Sequence, residues 1–216
     1  AANEILLENN SNISTDGIDG LIFIGTDFGR IDPLGPQSVT INKSQITSTE
    51  DTGSGIAGDI SIGASGDISV IASRIETIGD RGEILLASVL SSDNSSIAEG
   101  GSISIATNEL SLENAATVQA TSLGVTGAGG SITIDANSIE LIGVSDSFEL
   151  GTSTGLFANS LRFKDINAIE DFTIRDIIQS AQATSANNAG NGGDIIISTS
   201  ESLVVENGAE INVGSF

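Results

Sequence analysis

The feature that most constrains this 216-residue chain is a short alternating phrase that recurs behind glycine. In each copy two Ile residues flank one central residue. Because side chains alternate along a strand, the two Ile side chains share one face. A second strand of similar pattern begins seven or eight residues later, after a polar corner. The first phrase occupies 58–62, 101–105, 130–134 and 193–197, and the second occupies 68–70, 110–112, 139–141 and 203–205.

A longer phrase adds a third element to this pattern. Its copies read apolar, variable, apolar, Glu, Asn, and each continues to a further apolar residue. The copies are 5–9, 110–114 and 203–207, continuing to Ile13, Val118 and Ile211, and Val39 running to Ile46 is a looser version. One coil therefore consists of three short strands, corners between them and a glycine-rich return. Coil starts near residues 5, 22, 39, 60, 84 and 103 predict roughly nine or ten coils.

The fold predicted from this repeat is an all-β, right-handed parallel β-helix, in which each coil buries Ile, Leu and Val on the coil below. Antiparallel β-hairpins would also show alternating apolar and polar residues, but no Asn-Gly or Asp-Gly turn lies between paired strands of matching length. A natural repeat protein caps its ends, and neither end of this chain resembles a cap. Residues 1–216 are therefore expected to form a single β-helix segment of a longer protein.

Composition limits the function classes. The formal net charge is −22, and such an acidic surface repels phosphate backbones, so nucleic acid is not an expected partner. The absence of Cys and His removes thiolate metal sites, Cys nucleophiles and the commonest general base. No apolar run approaches the roughly 20 residues that span a bilayer, so membrane insertion is not expected.

Several phrases resemble the filamentous-haemagglutinin-like exoproteins of two-partner secretion systems, especially the cyanobacterial type. They are 129–134, 138–143, 155–158, 190–197 and 205–211. The resemblance implies export through an outer-membrane secretion pore and folding as a β-helix outside the cell. The implied location is extracellular or on the outer surface of a Gram-negative-type bacterium. The implied role is adhesion, aggregation or surface structure, with a cell-surface glycan, a protein receptor or copies of itself as partner.

The stretch 145–190 departs from the repeat and is predicted as an irregular insertion. Aromatic and cationic side chains concentrated in a loop suit a recognition element. The same residues also suit packing on the rod, with Phe on an apolar face and Arg paired to Asp. The expected partner-binding residues are Phe148, Phe157, Arg162, Phe163, Lys164, Phe172 and Arg175.

Some mid-strand positions that should face solvent carry apolar side chains, namely Leu6, Phe23, Leu85, Ile196 and Val204. They fit contact with a flanking segment or a neighbouring molecule. They fit equally well the scattered apolar residues of an ordinary protein surface.

The residues leave three functions open: a non-catalytic adhesive or structural rod, a filament-forming extracellular subunit, and a carbohydrate-active β-helix enzyme of the polysaccharide lyase or hydrolase kind. Paired carboxylates would serve the enzyme. No pair stands out by spacing and no Trp or Tyr is present to stack on sugars, so no catalytic residue is assigned. The sequence contains neither the glycine-rich calcium-binding nonapeptide nor an EF-hand loop, so no cofactor or metal site is predicted. Adventitious binding of calcium to stacked Asp and Glu side chains stays an alternative.

Overall fold

The computed structural model describes residues 3–16, 20–25, 36–50, 55–80, 98–123, 129–143, 154–161 and 191–215. These residues form strands β1 (Glu4–Leu7), β2 (Asn12–Asp16), β3 (Leu21–Gly25), β4 (Ser38–Asn42), β5 (Gln45–Glu50), β6 (Gly55–Ile56), β7 (Asp59–Gly63), β8 (Asp67–Ile71), β9 (Arg74–Asp80), β10 (Ala98–Glu99), β11 (Ser102–Glu113), β12 (Thr117–Leu123), β13 (Ser131–Ile142), β14 (Gly155–Leu161), β15 (Asp194–Glu206) and β16 (Glu210–Ser215). None of the described residues belongs to a helix that is long and apolar enough to cross a membrane.

The strands form two large sheets and one small one. The eight-stranded sheet follows the order β1-β4-β8-β11-β13-β15, with β3 paired to β7 and β7 paired to β11. The six-stranded sheet follows the order β16-β14-β12-β9-β5-β2, and β6 pairs only with β10. Every ladder among these strands is parallel. The prediction of an all-β fold with parallel sheets is confirmed.

The chain visits three strand positions in a fixed order. The first position comprises β3, β7 and the first halves of β11, β13 and β15. The second comprises β1, β4, β8 and the second halves of the same three strands. The third is the six-stranded sheet. We number the passes as row 1 (β1–β2), row 2 (β3–β5), row 3 (β7–β9), row 4 (β11–β12), row 5 (β13–β14) and row 6 (β15–β16).

The register corrects the predicted coil starts near residues 5 and 39, and the start near residue 84 lies outside the described residues. Ile22, Ile60 and Ile103 are partners in the first position. Val39 instead aligns with Ile5 on one side and Ile68 on the other, all in the second position. The described strands therefore form six rows rather than nine or ten. Spacing alone does not separate the first and second positions, because the alternating phrase is nearly the same in both, so a second-position strand resembles the start of a coil.

The core consists of aliphatic side chains stacked in register from row to row. Ile62, Ile105 and Ile134 form one fully buried column, and the intervening Ser104 and Thr133 point to the other face and are half-buried. This alternation is the one that the sequence predicts. Each fully buried Ile or Leu of such a column contributes about 1.5–3 kcal/mol by removing apolar surface from water.

Glycine at the start of the first position is required by the close approach of successive rows. A Cβ at Gly130 would overlap the carbonyl oxygen of Gly101, and a Cβ at Gly193 would overlap that of Gly130. The glycine-rich return that marks the repeat in the sequence is therefore a packing feature, since only a residue without a side chain fits there.

The structure describes residues 154–161 of the predicted insertion 145–190. They include β14, which pairs with β12 on one side and β16 on the other and so continues the regular third position. The irregular stretch therefore does not extend over Gly155–Leu161. The rest of the range lies outside the described residues.

Candidate functional site

A groove lies along the corner between the second and third strand positions and extends over rows 1 to 4. Its volume is about 540 Å³, and its lining consists of residues 10–12, 43–45, 72–74, Ala115 and Thr117. None of these residues is acidic or aromatic. The described lining is therefore polar and contains no carboxylate, on a chain whose net charge is −22.

The groove exists because the corners differ in length. Rows 2 and 3 turn in residues 43–44 and 72–73, whereas rows 1 and 4 use the longer segments 8–11 and 114–116. The strands before and after the corner nevertheless stay in register across all four rows. The extra residues of rows 1 and 4 must therefore bulge outward. Of these segments, Asn10, Ser11 and Ala115 line the two ends of the groove, and the shorter corners form its floor.

The described corners of rows 1, 2, 3, 4 and 6 each place at least one residue other than Gly in the left-handed backbone region, and Asn10 and Ala115 are second such residues in rows 1 and 4. In three rows the first such residue is Asn, with φ of 60° at Asn9, 56° at Asn114 and 53° at Asn207. In the two short corners it is Lys43 (φ 49°) and Ala72 (φ 47°). Asn tolerates this region because its short side chain bonds to nearby backbone, whereas Lys and Ala are strained there. The groove floor therefore carries backbone strain at both of its rows.

Two buried serines hold the floor together. The Ser73 hydroxyl donates to the carbonyl oxygen of Ile71 (2.7 Å) and also lies 3.1 Å from that of Ile41. It accepts a bond from the Ser44 amide (3.0 Å), and the Ser44 hydroxyl donates to the carbonyl oxygen of Asn42 (2.9 Å). Both side chains are at most 6% exposed. Because these hydroxyls are bonded to backbone, they shape the floor and are not presented to a ligand.

The exposed rim presents the hydrogen-bonding and charged groups. Asn12, Gln45 and Arg74 are in register at the first residue of the third position, and all three are exposed. Lys43 is exposed beside them on the corner of row 2. Lys43 and Arg74 are the only Lys or Arg among the described residues, and both line the groove. The rim thus combines two amides with two cations on three adjacent rows.

No protein-family model, curated protein or solved structure matches the chain. The resemblance to the haemagglutinin-like exoproteins therefore stays a prediction, and the site rests on geometry alone.

Of the partner-binding residues predicted from the sequence, the structure describes only Phe157. It is half-buried on β14, with Gln119 and Asn212 as its neighbours in the adjacent rows. The other six predicted residues are Phe148, Arg162, Phe163, Lys164, Phe172 and Arg175, and they lie outside the described part of the chain.

The groove shares no described residue with that predicted set, so sequence reasoning missed it. The available signal was the copy from Val39 to Ile46. This copy is one residue shorter than the copy from Ile5 to Ile13, and it carries Lys43 where other copies carry Asn. Within the described ranges no three side chains of the His, Cys, Asp or Glu type converge as metal ligands do.

Row 6 exposes an apolar edge. Its inward residues Leu203, Val205, Ile211 and Val213 are 37–51% exposed, although their partners in row 5 are buried. The prediction of apolar outward positions is confirmed for Leu6, Phe23, Ile196 and Val204, which are 39–56% exposed, and Leu85 lies outside the described residues. These four residues occupy rows 1, 2 and 6, and the corresponding outward positions of rows 3 and 4 carry Ser.

Proposed function

We propose that the chain winds as a right-handed parallel β-helix with three strands per coil, and that it serves as a non-catalytic extracellular rod in adhesion or surface structure. The observation that carries the proposal is the repeated order of the three strand positions, kept in parallel register through six rows. A helical winding is the simplest path that returns the chain to the first position after every third. Such a rod is stiff and presents its corners and outer faces along its length.

Export to the cell surface is supported by composition and by the repeat idiom. The chain has no Cys, which suits passage of an unfolded polypeptide through an outer-membrane pore. The phrases 129–134 and 190–197 carry the resemblance to exoproteins that use such a pore. The acidic surface suits an exposed, soluble protein that meets glycans or protein receptors rather than nucleic acid.

A binding role is supported over a catalytic one by the groove. Glycoside cleavage needs two carboxyl groups facing one bond, and the described lining holds none. The serine hydroxyls of its floor are bonded to backbone. Amides and cations on the rim instead supply donors that orient a polar ligand without reacting with it.

The proposal is tested on cells of the source organism with and without the gene. Immunogold electron microscopy is expected to place the protein outside the outer membrane. The deletion strain is expected to adhere less to polysaccharide-coated glass, and the restored gene to recover adherence. Label confined to the cell interior, or adherence unchanged by the deletion, would contradict the proposal. Release of unsaturated or reducing sugar ends by the purified chain would favour the enzyme alternative.

Filament formation is a second candidate, favoured by the pattern that rows 1 and 6 share. A further parallel strand pair placed on β15 and β16 would cover Leu203 and Val213. Row 1 of another copy carries the same phrase, since 5–9 and 203–207 share their pattern and both place Asn in the left-handed region. Concentration-dependent growth in sedimentation velocity, abolished by Leu203→Lys, is expected of a filament subunit. A monomer at all concentrations would exclude this candidate.

A further inference from the structure

We propose that the corner groove binds the carboxylate-bearing sugar unit of an acidic polysaccharide, with Lys43 as the principal ionic contact. The inference rests on the adhesive role proposed above and names its ligand class. The starting observation is the charge distribution. The two cationic side chains of the described residues line one groove, and no described carboxylate lines it with them. An anion placed there meets positive charge at contact distance.

Screening limits how far acidic side chains elsewhere on the protein act on the groove. At physiological ionic strength, charges on the surface are screened over about 8 Å. Acidic side chains beyond this distance therefore act weakly on a ligand in the groove, whereas Lys43 borders it directly. Hydrogen bonds to ionised groups are also stronger than neutral ones. The local cations, not the net charge of −22, decide which ligand is held.

The conformation of Lys43 is a second, independent observation. Lys43 occupies the left-handed position that Asn9, Asn114 and Asn207 occupy in other rows. Its register confirms the equivalence, because the preceding Asn42 aligns with Ile71 and Ile71 aligns with Glu113. Asn would fit this backbone with less strain. Strained residues cluster at functional sites, where local stability is given up for position, and Lys43 lines the groove.

The neighbouring groups indicate a sugar rather than another anion. Asn12 and Gln45 present amide donors and acceptors beside the two cations, and these suit ring hydroxyl groups. Protein interfaces are built around aromatic and Arg anchors in apolar pockets, and the only apolar lining residues described are Ala72 and Ala115. The spacing of strands gives the groove a length of about 14 Å across its four rows, which exceeds a single sugar ring.

The test is calorimetric titration of the full 216-residue chain with oligogalacturonate, and with neutral galactose oligomers and heparin oligosaccharides for comparison. Oligogalacturonate is expected to bind, more weakly as NaCl is raised, and the neutral oligomer is expected not to bind. Lys43→Asn is expected to weaken binding about tenfold, the loss of one charge-assisted hydrogen bond. Equal binding of the neutral oligomer, or no loss in Lys43→Asn, would overturn the proposal. Stronger binding of heparin would overturn the assignment to a carboxylate.

Two controls distinguish binding in the groove from binding elsewhere on the chain. Arg81→Asn makes the same change in charge at a residue that belongs neither to the described lining of the groove nor to the predicted partner-binding set, and it is expected to leave binding within twofold of the wild type. Loss of binding in Arg81→Asn but not in Lys43→Asn would place the contact outside the groove and overturn the proposal. Cells of the Lys43→Asn strain are compared with cells that lack the gene. If the former still adhere and the latter do not, the groove is not the binding site, and the proposed adhesive role is unaffected.

Discussion

The backbone amide of Asn10 donates a hydrogen bond to the carbonyl oxygen of Lys43 at 2.8 Å, so the longer corner of row 1 is anchored on the shorter corner of row 2. The amide of Lys43 in turn donates to the carbonyl oxygen of Ile71 in row 3 (3.0 Å). The Lys43 backbone is therefore held from both sides in a conformation that Lys rarely adopts. The stacking of rows, and not the preference of Lys43 itself, fixes the corner.

Relief of this strain should stabilise the protein. Lys43→Asn is expected to raise the free energy of unfolding by about 0.5–1 kcal/mol, because Asn tolerates the left-handed region and keeps both backbone bonds. Urea unfolding followed by circular dichroism measures the change in midpoint. Ala72 has a similar φ of 47°, so Ala72→Asn is the matched control and should raise the free energy of unfolding by a similar amount. A lower midpoint for both variants would show that the corners carry no strain.

The glycine column of the first position should tolerate no side chain. Gly130→Ala places a methyl group on the carbonyl oxygen of Gly101, and separation of the rows is expected to cost about 1–3 kcal/mol. Thermal unfolding should show a clearly lower midpoint. Gly208→Asn is the control, because a Cβ there meets nothing within 4 Å and Asn tolerates its φ of 80°. Equal losses in the two variants would show that close packing of the rows is not the cause.

The sequence predicted the strands well and their grouping into rows poorly. Ile103 and Ile105 could be assigned to one buried face because alternation is a local property, and the structure places them so. Val39 could not be assigned to its position, because nothing local distinguishes a second-position strand from a first-position strand. Only the register with Ile5 and Ile68 settles it. Spacing along the chain is a poor guide to register where returns differ in length.

The groove escaped sequence reasoning for a related reason. Lys43 and Arg74 lie in different rows and are far apart along the chain, and neither belongs to a motif. They line one groove because β5 and β9 pair in parallel register and because two adjacent corners are short. A concentration of Phe and Arg in 145–190 was the stronger compositional signal. That signal does not indicate which residues of different rows become neighbours when the rows stack.

A polar ladder on the corner between the first and second positions should contribute measurably to stability. The Asn137 side chain donates to the Asn108 side-chain oxygen (2.8 Å) and accepts from the Ser200 hydroxyl (2.8 Å), linking rows 4, 5 and 6. Asn137→Ala is expected to cost about 0.5–1.5 kcal/mol, since both bonds are lost at an exposed site. Asn137→Asp keeps only the hydrogen-bond acceptor, so its free energy of unfolding should lie between those of the wild type and Asn137→Ala. A midpoint for Asn137→Ala equal to the wild type would show that water replaces the ladder.

The third position contains a buried polar group whose removal should stabilise the fold. The Ser48 hydroxyl is fully buried and has no hydrogen-bond partner within the described part of the chain. Its partner in row 3, Thr77, is equally buried, but the Thr77 hydroxyl donates to the carbonyl oxygen of Gly101 (3.1 Å). Ser48→Ala removes an unpaired polar atom and is expected to gain about 0.5–1.5 kcal/mol. Thr77→Ala breaks a buried bond and is expected to lose about 1–3 kcal/mol.

These opposite signs are checked by urea unfolding of the two variants under the same conditions. Thr77→Ala also removes a buried methyl group, so Thr77→Val, which replaces the hydroxyl with a methyl group of similar size, is measured beside it. A gain for Ser48→Ala together with a loss for Thr77→Val is expected if hydrogen bonding distinguishes the two sites. A loss in both variants would mean that the Ser48 hydroxyl is satisfied in solution, and that packing volume dominates the interior of the third position.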